Sequence, residues 1–197
     1  MQFCFESTVM DGAPVFNLVH FALPGVEITG FTGVLNSTSK VVVEAMREGC
    51  SMEEGIQRAR EMGITETDAS FDIDGWDSAA KTAALANVLL DARTSPQQVE
   101  TRGIGRLTPA RVLELASQGK TVRLVSRARR TSHGIRLRVR AEVLEETDLL
   151  ASARGTSNLL LLHTDLMGTL GTVSIDPTVD QTAYGLFSDL VNVARTV

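Results

Sequence analysis

The chain has 197 residues, enough for one well-buried domain. It is 43% hydrophobic and 22% charged, a balance that excludes an intrinsically disordered chain. A formal net charge of −5 gives no electrostatic reason to expect a nucleic-acid or anionic-membrane partner, and no run of about 18 apolar residues offers a membrane span.

The first segment, "MQFCFESTV", is strand-like from its second residue, which predicts a strand near 2–8 and reads like a chain cut from something longer. Alternation and β-branched content predict further strands near 25–34, 97–104, 120–129, 134–143, 157–164 and 168–175. A helix is expected over 38–48. "SMEE" at 51–54 is a capping box, in which Ser51 accepts from the amide three residues on and Glu54 reaches back; the helix it opens ends at Gly63. Asp77 is the expected cap of "SAAKTAALANVLLDA", with Ala80, Ala84, Leu85 and Val88 as its apolar stripe. Thr108, Pro109 and Gly119 mark the cap, first turn and stop of another helix, and a last one runs over 181–194. Strands and helices without strict βαβ alternation predict an α+β fold, a mixed sheet covered by helices on one face, in a single domain.

Several familiar chemistries are absent from the sequence. "GIGRL" at 103–107 lacks the third glycine of a dinucleotide loop and leads into a helix with its own cap. There is no P-loop, HExxH or zinc-ligand cluster, and His20, His133 and His163 stand apart. The basic run from Arg123 to Arg140 alternates arginine with apolar residues, as two strands with one wet face would. Cys4 and Cys50 form no framework, which fits a reducing cytoplasm; no export signal is recognisable.

The informative stretch is "ITETDASFDIDGWDSAAKTAAL", residues 64 to 85, where Glu66, Asp68, Asp72, Asp74 and Asp77 precede Lys81. Ser70, Asp72, Asp74 and Gly75 approximate a calcium loop, but its twelfth position must be a bidentate glutamate and here is Lys81. A solvated acidic loop with a capped helix accounts for Asp77 and Lys81 alone. A pocket accounts for more: Asp77 and Lys81 lie one turn apart on one helix face. A lysine beside a carboxylate keeps its proton and suits a proton donor or a stabiliser of developing alkoxide charge. The remaining acids would hold a cationic group such as an α-ammonium.

The same stretch resembles the signature of homoserine dehydrogenases, a G-Y-x-E-x-D-P segment followed by a D-V/L-x-G-x-D-x-x-x-K run entering a helix. "GFTGVLNSTSKVVVEAM" resembles that family's G-x-x-N-G-T-T-N strand–turn–helix, and "FESTVMDGAPVF", "ETRGIGRLTPARVLELASQGKTVRLVSRA" and "TAYGLFSDLVNVAR" resemble other parts of its catalytic domain. Ser37 replaces the motif's glycine, Ile64 replaces its tyrosine, and "SIDPTVDQ" replaces a Gly-rich loop before the final helix.

The resemblance implies interconversion of aspartate β-semialdehyde and homoserine with NAD or NADP, in the pathway to threonine and methionine. Lys81 becomes the catalytic lysine at the reacting oxygen and Asp77 its acidic partner; Glu66, Asp72 and Thr38 line the substrate pocket. Glu6, with the backbone carbonyls of Val9, Asp11 and Ala13, matches a site for Na+ or K+. The resemblance further implies a homodimer, and a nucleotide-binding domain that this chain lacks, leaving a fragment that does not turn over alone. The alternative is a non-catalytic amino-acid-binding or dimerisation module built on the same domain.

Overall fold

In a computed structural model, which describes residues 4–196, six strands form one sheet in the order β2-β4-β3-β1-β5-β6. These are β1 (Ile28–Val34), β2 (Glu100–Arg102), β3 (Lys120–Thr131), β4 (Gly134–Glu145), β5 (Asn158–Thr164) and β6 (Thr169–Ser174). The pairings are antiparallel except β2 on β4, so the sheet is mixed, as the sequence predicts. The helices are α1 (Ser37–Arg47), α2 (Met52–Glu61), α3 (Ser70–Ile73), α4 (Trp76–Leu90), α5 (Pro109–Ser117) and α6 (Val179–Thr196).

Strand parity decides which face is covered. Phe31, Leu124, Ala128, Leu137, Val139, Leu160 and Leu162 point to one side and join the main core with α1, α4 and α5. The alternate positions bring Thr32, Arg127 and Arg138 level on the other side, where Arg127 and Arg138 both pair with Glu142. That face is wet along the arginine run, as predicted, with one correction. Arg123 is 2% exposed, its guanidinium bonded to the carbonyls of Ala151, Ala153 and Val122 and paired with Glu44 at 3.4 Å. A small second cluster of Val34, Val125, Leu144, Leu150 and Leu159 closes the same face at one end.

The predicted caps form. Ser51 Oγ accepts from Glu54 N–H and Glu54 Oε2 from Ser51 N–H, at 3.2 and 2.7 Å, and Thr108 Oγ1 accepts from Arg111 N–H at 3.3 Å. Gly63 and Gly119 follow their helices at φ +70 and +71.

Three local expectations fail. Residues 6–8 of the predicted strand near 2–8 form a 3-10 turn, because the buried Glu6 carboxylate accepts from the amides of Phe16 (2.9 Å) and Asn17 (2.7 Å), and also from Val15; residues 1–3 lie outside the described residues. Asp77 is not the cap of α4: Gly75, at φ +88, occupies that position and Asp77 sits in the first turn. The buried stripe of α4 is Ala79, Ala83, Leu85, Ala86, Leu89 and Leu90, with Val88 46% exposed. Each leucine so buried contributes about 2 kcal/mol, which fixes the roll of α4 and hence where Asp77 and Lys81 point.

Candidate functional site

The site forms where the N-terminus of α1 meets the α3–α4 junction. Gly75 turns the chain there through a left-handed conformation open chiefly to glycine, where a Cβ would stand 3.1 Å from the Thr101 methyl, so Asp72 on α3 and Asp77 on α4 face the same way. Opposite them, Asn36 leaves β1 and caps α1, its Oδ1 accepting from Ser39 N–H at 2.8 Å. That contact fixes the amide orientation, so both Nδ2 hydrogens turn outward. One goes to Asp72 Oδ1 at 2.5 Å and the other to Asp77 Oδ2 at 2.9 Å. Asp77 Oδ2 also pairs with Lys81 Nζ at 3.1 Å, and Nζ donates to the Leu35 carbonyl at 3.1 Å.

These groups line a cavity of about 590 Å³ with Thr38, whose hydroxyl donates to the Ile64 carbonyl at 3.3 Å. Lys81 and Asp77 keep 25% and 26% of their side chains exposed, so the pair is reachable from the cavity. A polar wall of Asp11, Thr156, Asp176 and Thr182 completes it. Ser37, on the wall too, donates to the Thr156 carbonyl at 3.2 Å.

Of the residues predicted for the site, Lys81, Asp77, Asp72 and Thr38 come together. Glu66 does not join them: it is exposed and lines an adjoining depression shared with Asp68, Asp72 and Asp77. Asp68 is a local brace, accepting from Ser70 N–H at 2.9 Å, which holds its carboxyl below the usual range. Asp74 is exposed. Sequence reasoning missed Asn36, Asp176 and Thr182. Asn36 had a signal, the asparagine at the fourth position of the quoted strand–turn–helix motif; Asp176 and Thr182 had none.

The Glu6 segment lies at the far side of this wall. The carbonyls of Val9 and Asp11 accept no hydrogen bond among the described residues, while the Asp11 carboxylate is taken by Asn158 and Thr182. No group of three His, Cys, Asp or Glu suited to a metal occurs among the described residues. His163 lies between Thr32 and Thr169, and burial, then Arg127, holds its ring below the ordinary pKa; His20 and His133 are exposed. In the segment "GIGRL", Gly103 lies against Ile73 and Asp74 under the α3–α4 junction. No helix of the described residues is long and apolar enough to cross a membrane.

A mixed sheet under one helical layer, with a lysine and clamped aspartates lining a polar cavity, defines an α+β domain. Comparison with known proteins gives the family. The homoserine dehydrogenase family model matches residues 14–191, and the chain belongs to that family. It is 32% identical over its whole length to an NAD(+)-dependent homoserine dehydrogenase of Pseudomonas canavaninivorans, covering 56% of that protein. It is 30% identical over 97% of its length to a homoserine dehydrogenase of Methanocaldococcus jannaschii, again covering 56% of the relative. A homoserine dehydrogenase structure from Thiobacillus denitrificans superposes with a TM-score of 0.88 at 30% identity, over 97% of this chain and 44% of that one. The chain thus spans about half the length of the curated relatives it matches.

Proposed function

We propose that this chain is the substrate-binding and catalytic part of an NAD(P)-dependent dehydrogenase interconverting aspartate β-semialdehyde and homoserine, within threonine and methionine biosynthesis. The observation that carries it is the clamp of Asn36 on Asp72 and Asp77, with Asp77 paired to Lys81 inside a cavity large enough for an amino acid. A bound NAD(P)H supplies the hydride. In the reducing direction Lys81 gives a proton to the oxygen formed, or stabilises its charge, and Asp77 holds the ammonium in place. Asp72 and Thr38 bind the amino-acid end of the substrate, and Glu66 adds negative potential from the neighbouring depression.

The phosphates of the cofactor have no Gly-rich cradle among the described residues, so we assign them to the length of the relatives that this chain does not span. Support comes from α6, which leaves Val179, Tyr184, Leu186, Phe187 and Leu190 more than half exposed, a surface that calls for a cover. The carbonyls of Val9 and Asp11, which accept no hydrogen bond among the described residues, suit a monovalent cation, with Ala13 and Glu6 completing its loop; the Glu6 carboxylate itself is used by amides. A homodimer follows from the resemblance to the family and a cytoplasmic location from Cys4 and Cys50, which form no disulfide framework, and sedimentation of the full-length protein tests the dimer.

The reading is tested by calorimetry of L-homoserine with this chain and by turnover of the full-length protein. Wild type binds homoserine, and Lys81→Ala or Asp77→Ala lowers turnover by about 100-fold or more while the cofactor still binds. Rates like wild type in both variants would remove the assignment. Binding with no turnover in the full-length protein would make the chain a non-catalytic amino-acid-binding module.

A further inference from the structure

One turn beyond Asn36, α1 carries a buried lysine for which the proposed chemistry has no use. Lys40 is 1% exposed and stands where the quoted family motif ends in asparagine. Its Nζ donates to the Ser157 carbonyl and, at 3.0 Å, to Asn158 Oδ1. Two acceptors match the two N–H groups of an uncharged amine; an ammonium would carry a third with no acceptor among the described residues. The charged groups around it are Arg123 from β3, Lys81 from α4, Glu44 from α1 itself and Asp11 from the turn that follows residues 6–8. Burial most of all, then Arg123 and Lys81, lowers its pKa to about 7, against the opposite pull of Glu44 and Asp11.

The two residues that Lys40 grips lead to the cavity wall that Asn36 does not reach. With Asn158 Oδ1 occupied, its Nδ2 turns to Asp11 Oδ2 at 3.3 Å, and Asp11 Oδ1 accepts from Thr182 Oγ1 at 3.3 Å. Ser157 Oγ donates to Asp176 Oδ1 at 3.1 Å and accepts from Asp176 N–H at 3.0 Å. Asp11 and Asp176 both have left-handed backbones, at φ 55 and 44, a conformation that costs a non-glycine residue about 1 kcal/mol and persists only where partners impose it. We propose that Lys40 is a positioning residue for substrate binding: through Ser157 and Asn158 it fixes Asp11 and Asp176, as Asn36 fixes Asp72 and Asp77. One helix end, through two residues four apart, sets both carboxylate-bearing walls. The inference rests on reading the cavity as an amino-acid site.

The test is calorimetric titration of L-homoserine into this chain as wild type, Lys40→Met, Asn158→Ala and the double variant, over a pH range spanning about 7. Each single variant weakens binding about tenfold, and the double is no weaker than the worse single, because both break one connected network. Wild-type affinity falls as pH drops through about 7, where the amine takes up a proton it has no acceptor for, and Lys40→Met lacks that inflection. A folded Lys40→Met chain that binds within about twofold of wild type and keeps the inflection overturns the inference alone. Should Lys40→Met fail to melt cooperatively, Asn158→Ala decides: affinity within about twofold of wild type overturns it. Wild type that binds no homoserine overturns the amino-acid reading and this inference with it.

Discussion

Asn36 does with one amide what a longer side chain could not. Its oxygen is fixed by the helix it caps, so its nitrogen must face the two carboxylates, and those accept both of its hydrogens. Asp72 is held from its other side by Thr65 Oγ1 at 2.8 Å. Two anions are thereby kept close together without mutual repulsion driving the α3–α4 junction away from α1. Asn36→Asp keeps the cap, since its oxygen still accepts from Ser39 N–H, but points a third carboxylate oxygen at the two acids. We expect a loss on the order of 1–3 kcal/mol near neutral pH. The folded cluster then binds a proton more tightly than the unfolded chain does, so the loss shrinks as pH falls toward the carboxylate range. Urea melts of Asn36→Asp and wild type at neutral and acidic pH measure this; a deficit that grows on acidification would refute the clamp.

At the scale of elements, what the sequence displayed was whatever is encoded within a turn or two. The capping box at Ser51, the Thr108–Pro109 start and the strands of the β3–β4 hairpin all formed near their predicted bounds. The misses have a common cause, a partner distant in sequence. Residues 6–8 left the strand pattern because Glu6 serves amides at 15–17, and the acidic stretch contains α3 because Ile73 packs into the core. Gly103 belongs to this class. It resembled a fragment of a phosphate loop, yet a Cβ there would stand 2.0 Å from the Ile73 carbonyl oxygen and 2.6 Å from Asp74 Cα, both backbone. Ile104 N–H donates to that same carbonyl at 2.8 Å, so the contact cannot open without losing a bond. Gly103→Ala should therefore cost about 3 kcal/mol or more and weaken homoserine binding, because Asp72 and Asp77 flank the junction it pushes. Gly105→Ala is the control: its nearest contacts are 3.5 and 3.6 Å and both are side chains. Equal melting temperatures for the two variants would contradict this account.

For the whole molecule, the cavity gathers residues from both ends of the chain: Asp11, Asn36, Asp72 and Asp77, Asp176 and Thr182. Local periodicity carries no information on such separations, so only the Asp77–Lys81 pair, four residues apart, could be read from spacing alone. Composition nonetheless held a global clue. Of the 19 basic residues only Lys40, Lys81 and Lys120 are lysines, and two of those three sit in or beside the site. Arginine stays protonated throughout the accessible range, so the alkaline titration of the fold is unusually clean. Lys40 has a folded pKa of about 7 against an ordinary 10.5, so between those values the unfolded chain binds more protons than the folded one. Stability then rises with pH across that window, the burial penalty being fully present below about 7 and relieved as the pH approaches 10.5. The whole effect is on the order of 5 kcal/mol. Lys40→Met removes the proton but leaves the Ser157 carbonyl and Asn158 Oδ1 without their donor, a loss of about 1–3 kcal/mol at any pH. The difference in unfolding free energy between wild type and Lys40→Met should thus shift in favour of wild type as pH rises from about 7 to 10. Thiol and tyrosine titrations are common to both chains and cancel. Denaturant melts at intervals across that range measure it, and a difference that stays flat would mean that the buried lysine is charged at neutral pH.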